Sequence, residues 1–314
     1  MSPPDQGWRV GEGWGWIWGD EDERGALNAV TPASVLAAFG SVTTGRVFDL
    51  GVTVDRHSYL GRFHAHTEVV RFRTAPGLKR ELEDEGMDTG GVSFNTSLVL
   101  ISDHAGTQLD GLCHATFGDD DHWYNGFTSR NDTDDFGVTR AMVAGMPPII
   151  LSASLIDVAG HLGHDYLDAG FAITPDTLES ALVSQGTDVA PGQAVFVRTG
   201  TLRHWGFAGR DHDALQGPDT AGLTLESARW LVEQKGASLV GSDTSTVEVM
   251  PPIDGDNASP VHKYLLVDQG VHMGELHNLE ELAAERIYKF CYIALTPKIL
   301  GTTGGFALRP IAVV

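Results

Sequence analysis

Cysteine is nearly missing from this chain: Cys113 and Cys291 are the only two among 314 residues. Two are too few for a disulfide framework and fit a reducing compartment. Long apolar runs are missing as well, and no stretch approaches the ~20 residues needed to span a bilayer. The first residues are polar and carry Trp8, Trp14, Trp16 and Trp18 in place of a basic patch and apolar run, so they do not read as a secretory signal. The expected location is cytoplasmic. Positive charge is scarce, with 21 Lys and Arg against 42 Asp and Glu and a net charge of −21. Such a surface repels phosphate backbones and anionic lipid, which excludes nucleic acid and membranes as expected partners and leaves a small-molecule substrate. An anionic substrate stays compatible, because a bound divalent cation reverses the sign locally.

What is present describes a folded protein: 42% hydrophobic and 20% charged residues are ordinary for a globular chain. The length suits one large domain, and no repeat or low-complexity linker divides it. Helices are expected from Thr31-Pro32 to Gly40, from Thr174-Pro175 to Gly186 and from Thr224 to Gly236, each with a capping side chain before it and a glycine behind. A further helix starts at Asn278, with Glu280 and Glu281 in its first turn. β-branched and aromatic runs predict strands at 47–54, 68–73, 92–102, 149–154, 194–198, 237–240 and 288–295. The acidic stretches Glu81–Glu85, Asp119–Asp121 and Asp132–Asp135 read as solvated loops. The fold class is α/β: a mixed sheet flanked by helices in one domain, residues 1–314, with residues 1–30 as a Trp-rich N-terminal segment packed at a subunit interface.

The chemistry concentrates between residues 103 and 114, just after the apolar run Leu98-Val99-Leu100-Ile101. His104, Gln108 and Asp110 offer imidazole, amide and carboxylate donors at close spacing, a mixed set that zinc and manganese accept. His114, four residues beyond Asp110, is near enough to act on a metal-held water as a general acid/base. Spacing alone leaves open that these are loop polars and satisfied core histidines.

The run His104-Ala105-Gly106-Thr107-Gln108-Leu109-Asp110 through His114 resembles the signature of the cyclase family of metal hydrolases, which includes bacterial kynurenine formamidase, isatin hydrolase and a trans-dienelactone hydrolase. Other segments resemble it too: Trp18–Glu23 with Gly25–Asn28, Tyr124-Asn125-Gly126, His262–Leu266 up to Glu275, Asn278–Leu282, and the closing Thr296-Pro297, Gly301–Gly304 and Pro310–Ala312. The resemblance implies a swivelling β/β/α-type fold, a homodimer or homotetramer, and hydrolysis of a cyclic amide, a lactone or an N-formyl or aryl amide. It implies His104, residue 108 and Asp110 as ligands of a first ion, with Asp110 bridging to a second held by His262 and Glu275 in two-metal members, and His114 as the catalytic histidine. One departure matters. Gln108 stands where the family usually has histidine, as in one of its branches, and an amide oxygen is a weaker, harder ligand than imidazole. That tilts the site towards manganese over zinc, or towards a single ion.

Other readings compete. His64 and His66, on one face of a strand, could belong to a cupin-like oxygenase, but no second cupin half follows. Cys113 invites a nucleophile reading that a metal-activated water makes unnecessary. Asp243 reads as a turn cap and Arg198 as a strand-end ion pair, while His122, His161, His164, His204, His212 and His277 read mostly as surface residues. A catalytically silent relative that only binds a small molecule is the non-enzymatic alternative.

Overall fold

The capped helices form where their punctuation places them. In the computed structural model, which describes residues 8–206, 210–215, 219–301 and 304–314, Thr31 and Ser34 close a reciprocal capping box on helix Pro32–Gly40. The Thr174 side chain accepts from Thr177 N at the start of Pro175–Gln185, which Gly186 ends in a left-handed conformation. Thr224 caps Leu225–Arg229, and this helix continues through a π-helical turn, Trp230–Gln234. The chain is an α/β protein built on one large mixed sheet flanked by helices.

The sheet has nine strands, in the spatial order Val47–Asp49, Ile311–Val313, Lys289–Ala294, Ile149–Asp157, Ala194–Arg198, Leu239–Ser242, His272–Glu275, Gln108–Asp110 and Gly305–Ala307. Its four central strands, 149–157 to 272–275, pair parallel, and the remainder pair antiparallel. Central strands buried on both faces explain the continuous apolar runs. Val195 and Val197 pack with Leu178, Ala228 and Leu231 on one side, whereas Ala194 and Phe196 pack with Leu155, Leu239 and Tyr292 on the other. Arg198 ends its strand in a buried network, paired with Asp157 at 2.8 Å and with Glu280 at 2.8 Å, which ties the sheet to helix Glu280–Ala284. Asp243 caps the adjoining turn by accepting from Thr199 N, Thr199 Oγ1 and Gly200 N at 2.7–2.8 Å.

Several sequence expectations shift. The strand expected over 47–54 keeps only Val47–Asp49, 92–102 shortens to Thr96–Leu100, and 237–240 moves to Leu239–Ser242. Glu81 to Asp84 lie in helix Ala75–Asp84, capped by Thr74, and not in a loop. Its proline occupies the first turn, where a missing N–H costs nothing. His64 and His66 precede a strand instead of sharing one. His212 and His277 are buried, the latter pairing with Tyr292 Oη at 2.9 Å. Within the N-terminal segment Trp14 is buried and donates to Ala237 O and Trp8 donates to Val232 O, while Trp16 is exposed. Gly301 and Gly304 are described, but the Thr302 and Thr303 between them lie outside the described residues.

Candidate metal centre

Strand periodicity builds the site. In Gln108–Asp110 alternate side chains face opposite ways, so Leu109 enters the core while Gln108 and Asp110 share the other face. Cross-strand pairing sets Glu275 beside Gln108 and Gly305 beside Asp110. Before the strand, Gly106 adopts φ +69°, where a Cβ would also meet Val54 Cγ2 at 2.5 Å, so glycine alone fits. Thr107 Oγ1 donates to Leu276 O at 2.7 Å and accepts from Val52 N at 3.0 Å, fixing the loop after Glu275 to the motif.

Around Asp110 two groups of potential ligands form and share its carboxylate: His104 with His114 on one side, His262 with Glu275 on the other. His104 Nε2 lies 3.4 Å from Asp110 Oδ1; His262 Nε2 lies 4.0 Å from Asp110 Oδ2 and 3.5 Å from Glu275 Oε1. Gln108 Nε2 donates to Glu275 Oε2 at 2.6 Å, which orients the amide oxygen. The His114 ring stacks on His104 at 4.3 Å between centroids, and His64 stacks on the other face at 4.6 Å. His66 is exposed.

These residues fit a divalent cation. His104 Nε2, Gln108 Oε1 and both Asp110 oxygens are buried without a hydrogen-bond partner. Leaving one such group unpaired costs about 1–3 kcal/mol, and more for a charged one. Four on neighbouring residues, all able to ligate, are explained together by an ion.

Carboxylates behind the histidines orient them, as ligand-holding imidazoles require. Asp103 Oδ1 lies 2.8 Å from His104 Nδ1, and Glu248 bonds His262 Nδ1 while accepting from Val261 N at 3.0 Å. Burial disfavours the protonated form of His104, yet Asp103 and Asp110 hold its pKa up at about 10. Burial likewise opposes charge on His262, but Glu248 and Glu275 hold it well above the usual imidazole range. Burial and the Asp110 charge raise Glu275. Without an ion, protons occupy the positions a cation would take. For His114 burial dominates and pushes the pKa down to about 4, which leaves a neutral imidazole at pH 7. Burial pushes the Cys113 thiol up to about 12, so a thiolate nucleophile is not available there.

Glu248 and the Gly304-Gly305 pair are contributions that sequence reasoning did not assign. Glu248 sits in an ordinary Val-Glu-Val run with no signal of its role. A Cβ on Gly304 would meet His114 Nδ1 at 2.6 Å, and one on Gly305 would meet His104 Nε2 at 2.7 Å. Two adjacent glycines in the closing segment were the available signal. A small cavity of about 30 Å³ touches His104, Gln108 and Glu275. It shares Ser245 and Leu276 as walls with a cavity of about 380 Å³ lined by Tyr166, His204, Asp211 and Asp219 among others.

A curled mixed sheet carrying a carboxylate shared by two histidine-containing ligand groups defines a class of α/β proteins able to hold a divalent metal. Within that class the chain belongs to the Cyclase family, whose model matches residues 48–249. A crystal structure of a novel cyclase is similar over 96% of this chain and 97% of that one, at 27% identity and TM-score 0.83. Isatin hydrolase A from Labrenzia aggregata, bound to benzyl benzoate, shares the fold at 22% identity and TM-score 0.58 over 91% of this chain and 98% of that one. An isatin hydrolase bound to the product analogue thioisatinate shares it at 20% identity and TM-score 0.62, over 91% and 99%. No curated protein sequence matches the chain. Among the described residues no helix is long and apolar enough to cross a membrane.

Proposed function

We propose that the protein is a metal-dependent hydrolase that opens a small cyclic amide or lactone, or cleaves a small N-formyl or aryl amide. The carrying observation is the set of four buried, unpartnered ligand atoms on His104, Gln108 and Asp110. These residues would hold a divalent ion, manganese or zinc, with His262 and Glu275 available to a second beside the shared Asp110. A divalent ion so held acidifies water from a pKa of about 16 towards 7 and polarises a carbonyl oxygen. His114 is neutral at pH 7 and takes the proton of the attacking water on its imidazole. It returns that proton to the leaving nitrogen or oxygen, and a carboxylate product results. Asp103 and Glu248 keep His104 and His262 turned into the site. The cavity of about 380 Å³ takes the body of the substrate, within the size range of small-molecule sites.

The test is a panel of isatin-like lactams, N-formyl anilines and unsaturated lactones assayed with manganese and with zinc. Turnover of at least one class that a chelator abolishes and metal restores is expected. Turnover indifferent to chelator, or none across the panel with metal bound, overturns the proposal.

A further inference from the structure

One histidine beside the metal centre is still without a role. His64 and His66 stand out together in the sequence, yet they end up differently: His66 is exposed, whereas His64 is partly buried against His104. The loop that carries His64 is pinned at its start. Tyr59 N donates to Nδ1 of the buried His212 at 2.7 Å, and Tyr59 Oη donates to Ser245 Oγ at 3.2 Å. A turn closed by His64 N donating to Gly61 O at 3.0 Å then brings the imidazole against His104. Residue 61 has to be small there, because a Cβ would stand 3.0 Å from His64 Cδ2.

Three observations converge on one hole. The cavity of about 30 Å³ has His64, His104, Gln108 and Glu275 in its wall, and it has room for about one water or one ion. His64 offers a ligand atom within 4.8 Å of those on Asp103 and His104, and its ring lies face to face with His104 at 19° between planes. Among the described residues neither ring nitrogen of His64 has a hydrogen-bond partner. Asp103 already takes Nδ1 of His104, which leaves Nε2 of that ring for an ion. The two imidazoles thus stand side by side at an ion-sized hole, with nitrogens unspent on both.

We infer that His64 ligates the ion held by His104, Gln108 and Asp110, and so returns the imidazole that Gln108 takes out of the signature. The inference rests on the metal-holding reading proposed above and adds to it a ligand from outside the signature. Imidazole serves zinc better than an amide oxygen does, so His104, Asp110 and Gln108 alone would hold that ion weakly. With His64 the set becomes two imidazoles and a carboxylate, which catalytic zinc sites use. Gln108 then no longer turns the site from zinc towards manganese.

The experiment titrates zinc into the chelator-stripped full chain and into His64→Phe, a change that keeps a ring on His104 and removes both nitrogens. His64→Phe should bind zinc at least about tenfold more weakly, with the denaturant midpoint of the stripped protein unchanged. X-ray absorption at equimolar zinc should count fewer imidazoles than in wild type. Adding Gln108→His to His64→Phe puts an imidazole back at the signature position and should restore both affinity and count, to which a purely packing role for His64 would not respond. The wild type gives a check that needs no variant: acylation by diethyl pyrocarbonate, read by mass spectrometry, should find His64 shielded by zinc and His66 still reactive. Equal zinc affinity and imidazole count in His64→Phe, no rescue by Gln108→His, or a His64 as reactive with zinc as without it each overturns the inference and leaves the metal centre standing. A wild type that binds no zinc overturns the inference together with the reading on which it rests.

Discussion

Gly305→Ala separates a metal centre from an ordinary sheet edge by the sign of its effect. The residue lies in a strand opposite Asp110 and has no positive φ, so alanine fits its backbone. By conformational entropy alone the change would stabilise the protein by about 0.4–1 kcal/mol. The added methyl, however, stands 2.7 Å from His104 Nε2 and 2.8 Å from Leu109 O. His104 cannot yield cheaply: Asp103 holds Nδ1, and His64 and His114 stack on its two faces. Overpacking of this kind costs about 1–3 kcal/mol. The displaced ring should also weaken metal binding about 10–100-fold, the range seen when a ligand's orientation is lost. Denaturant midpoints read the first effect, and chelator competition reads the second. A variant at least as stable as wild type with unchanged metal affinity refutes the assignment of this close approach to the site.

Gln108→His should raise zinc affinity relative to manganese, because imidazole is the better zinc ligand; unchanged affinities for both metals would take residue 108 away from the ion. His114→Ala should keep metal and fold while losing roughly 100-fold or more in turnover. The sign for pH follows from the depressed value of about 4: the base form dominates at neutral pH, so wild-type turnover holds through neutrality and falls as acid approaches that value, and this limb should vanish or move in the variant. Near-full activity in His114→Ala removes the residue from the mechanism. Arg198→Met leaves Asp157 and Glu280 without their buried partner and should destabilise by about 3–5 kcal/mol in denaturant melts. A loss below about 1 kcal/mol would show that the network contributes little.

The helix caps and central strands were legible because their signals are local. Thr31-Pro32, Thr174-Pro175 and Thr224 act within four residues, and runs buried on both faces stay apolar throughout. The ligand cluster was legible only by resemblance, since its members come from distant segments: Gln108 meets Glu275 through antiparallel pairing that no spacing encodes. That pairing also puts Gln108 and Asp110 in a strand rather than a loop. Glu248 reaches His262 from a loop fourteen residues away, and its neighbours carry no pattern. Helix Ala75–Asp84 was hidden by its charge and proline. The 47–54 run ends early as a strand because Val52 N bonds the Thr107 hydroxyl instead of a neighbouring strand.

The central claim is that the carboxylate shared by two ligand groups holds a divalent ion. Isothermal titration of manganese and zinc into chelator-stripped protein, wild type beside Asp110→Ala, tests it most directly. Saturable binding of one or two ions per chain in the wild type, lost in Asp110→Ala while the fold persists, is the predicted result. A wild type that binds neither metal, or an Asp110→Ala protein that binds both as tightly, would contradict it.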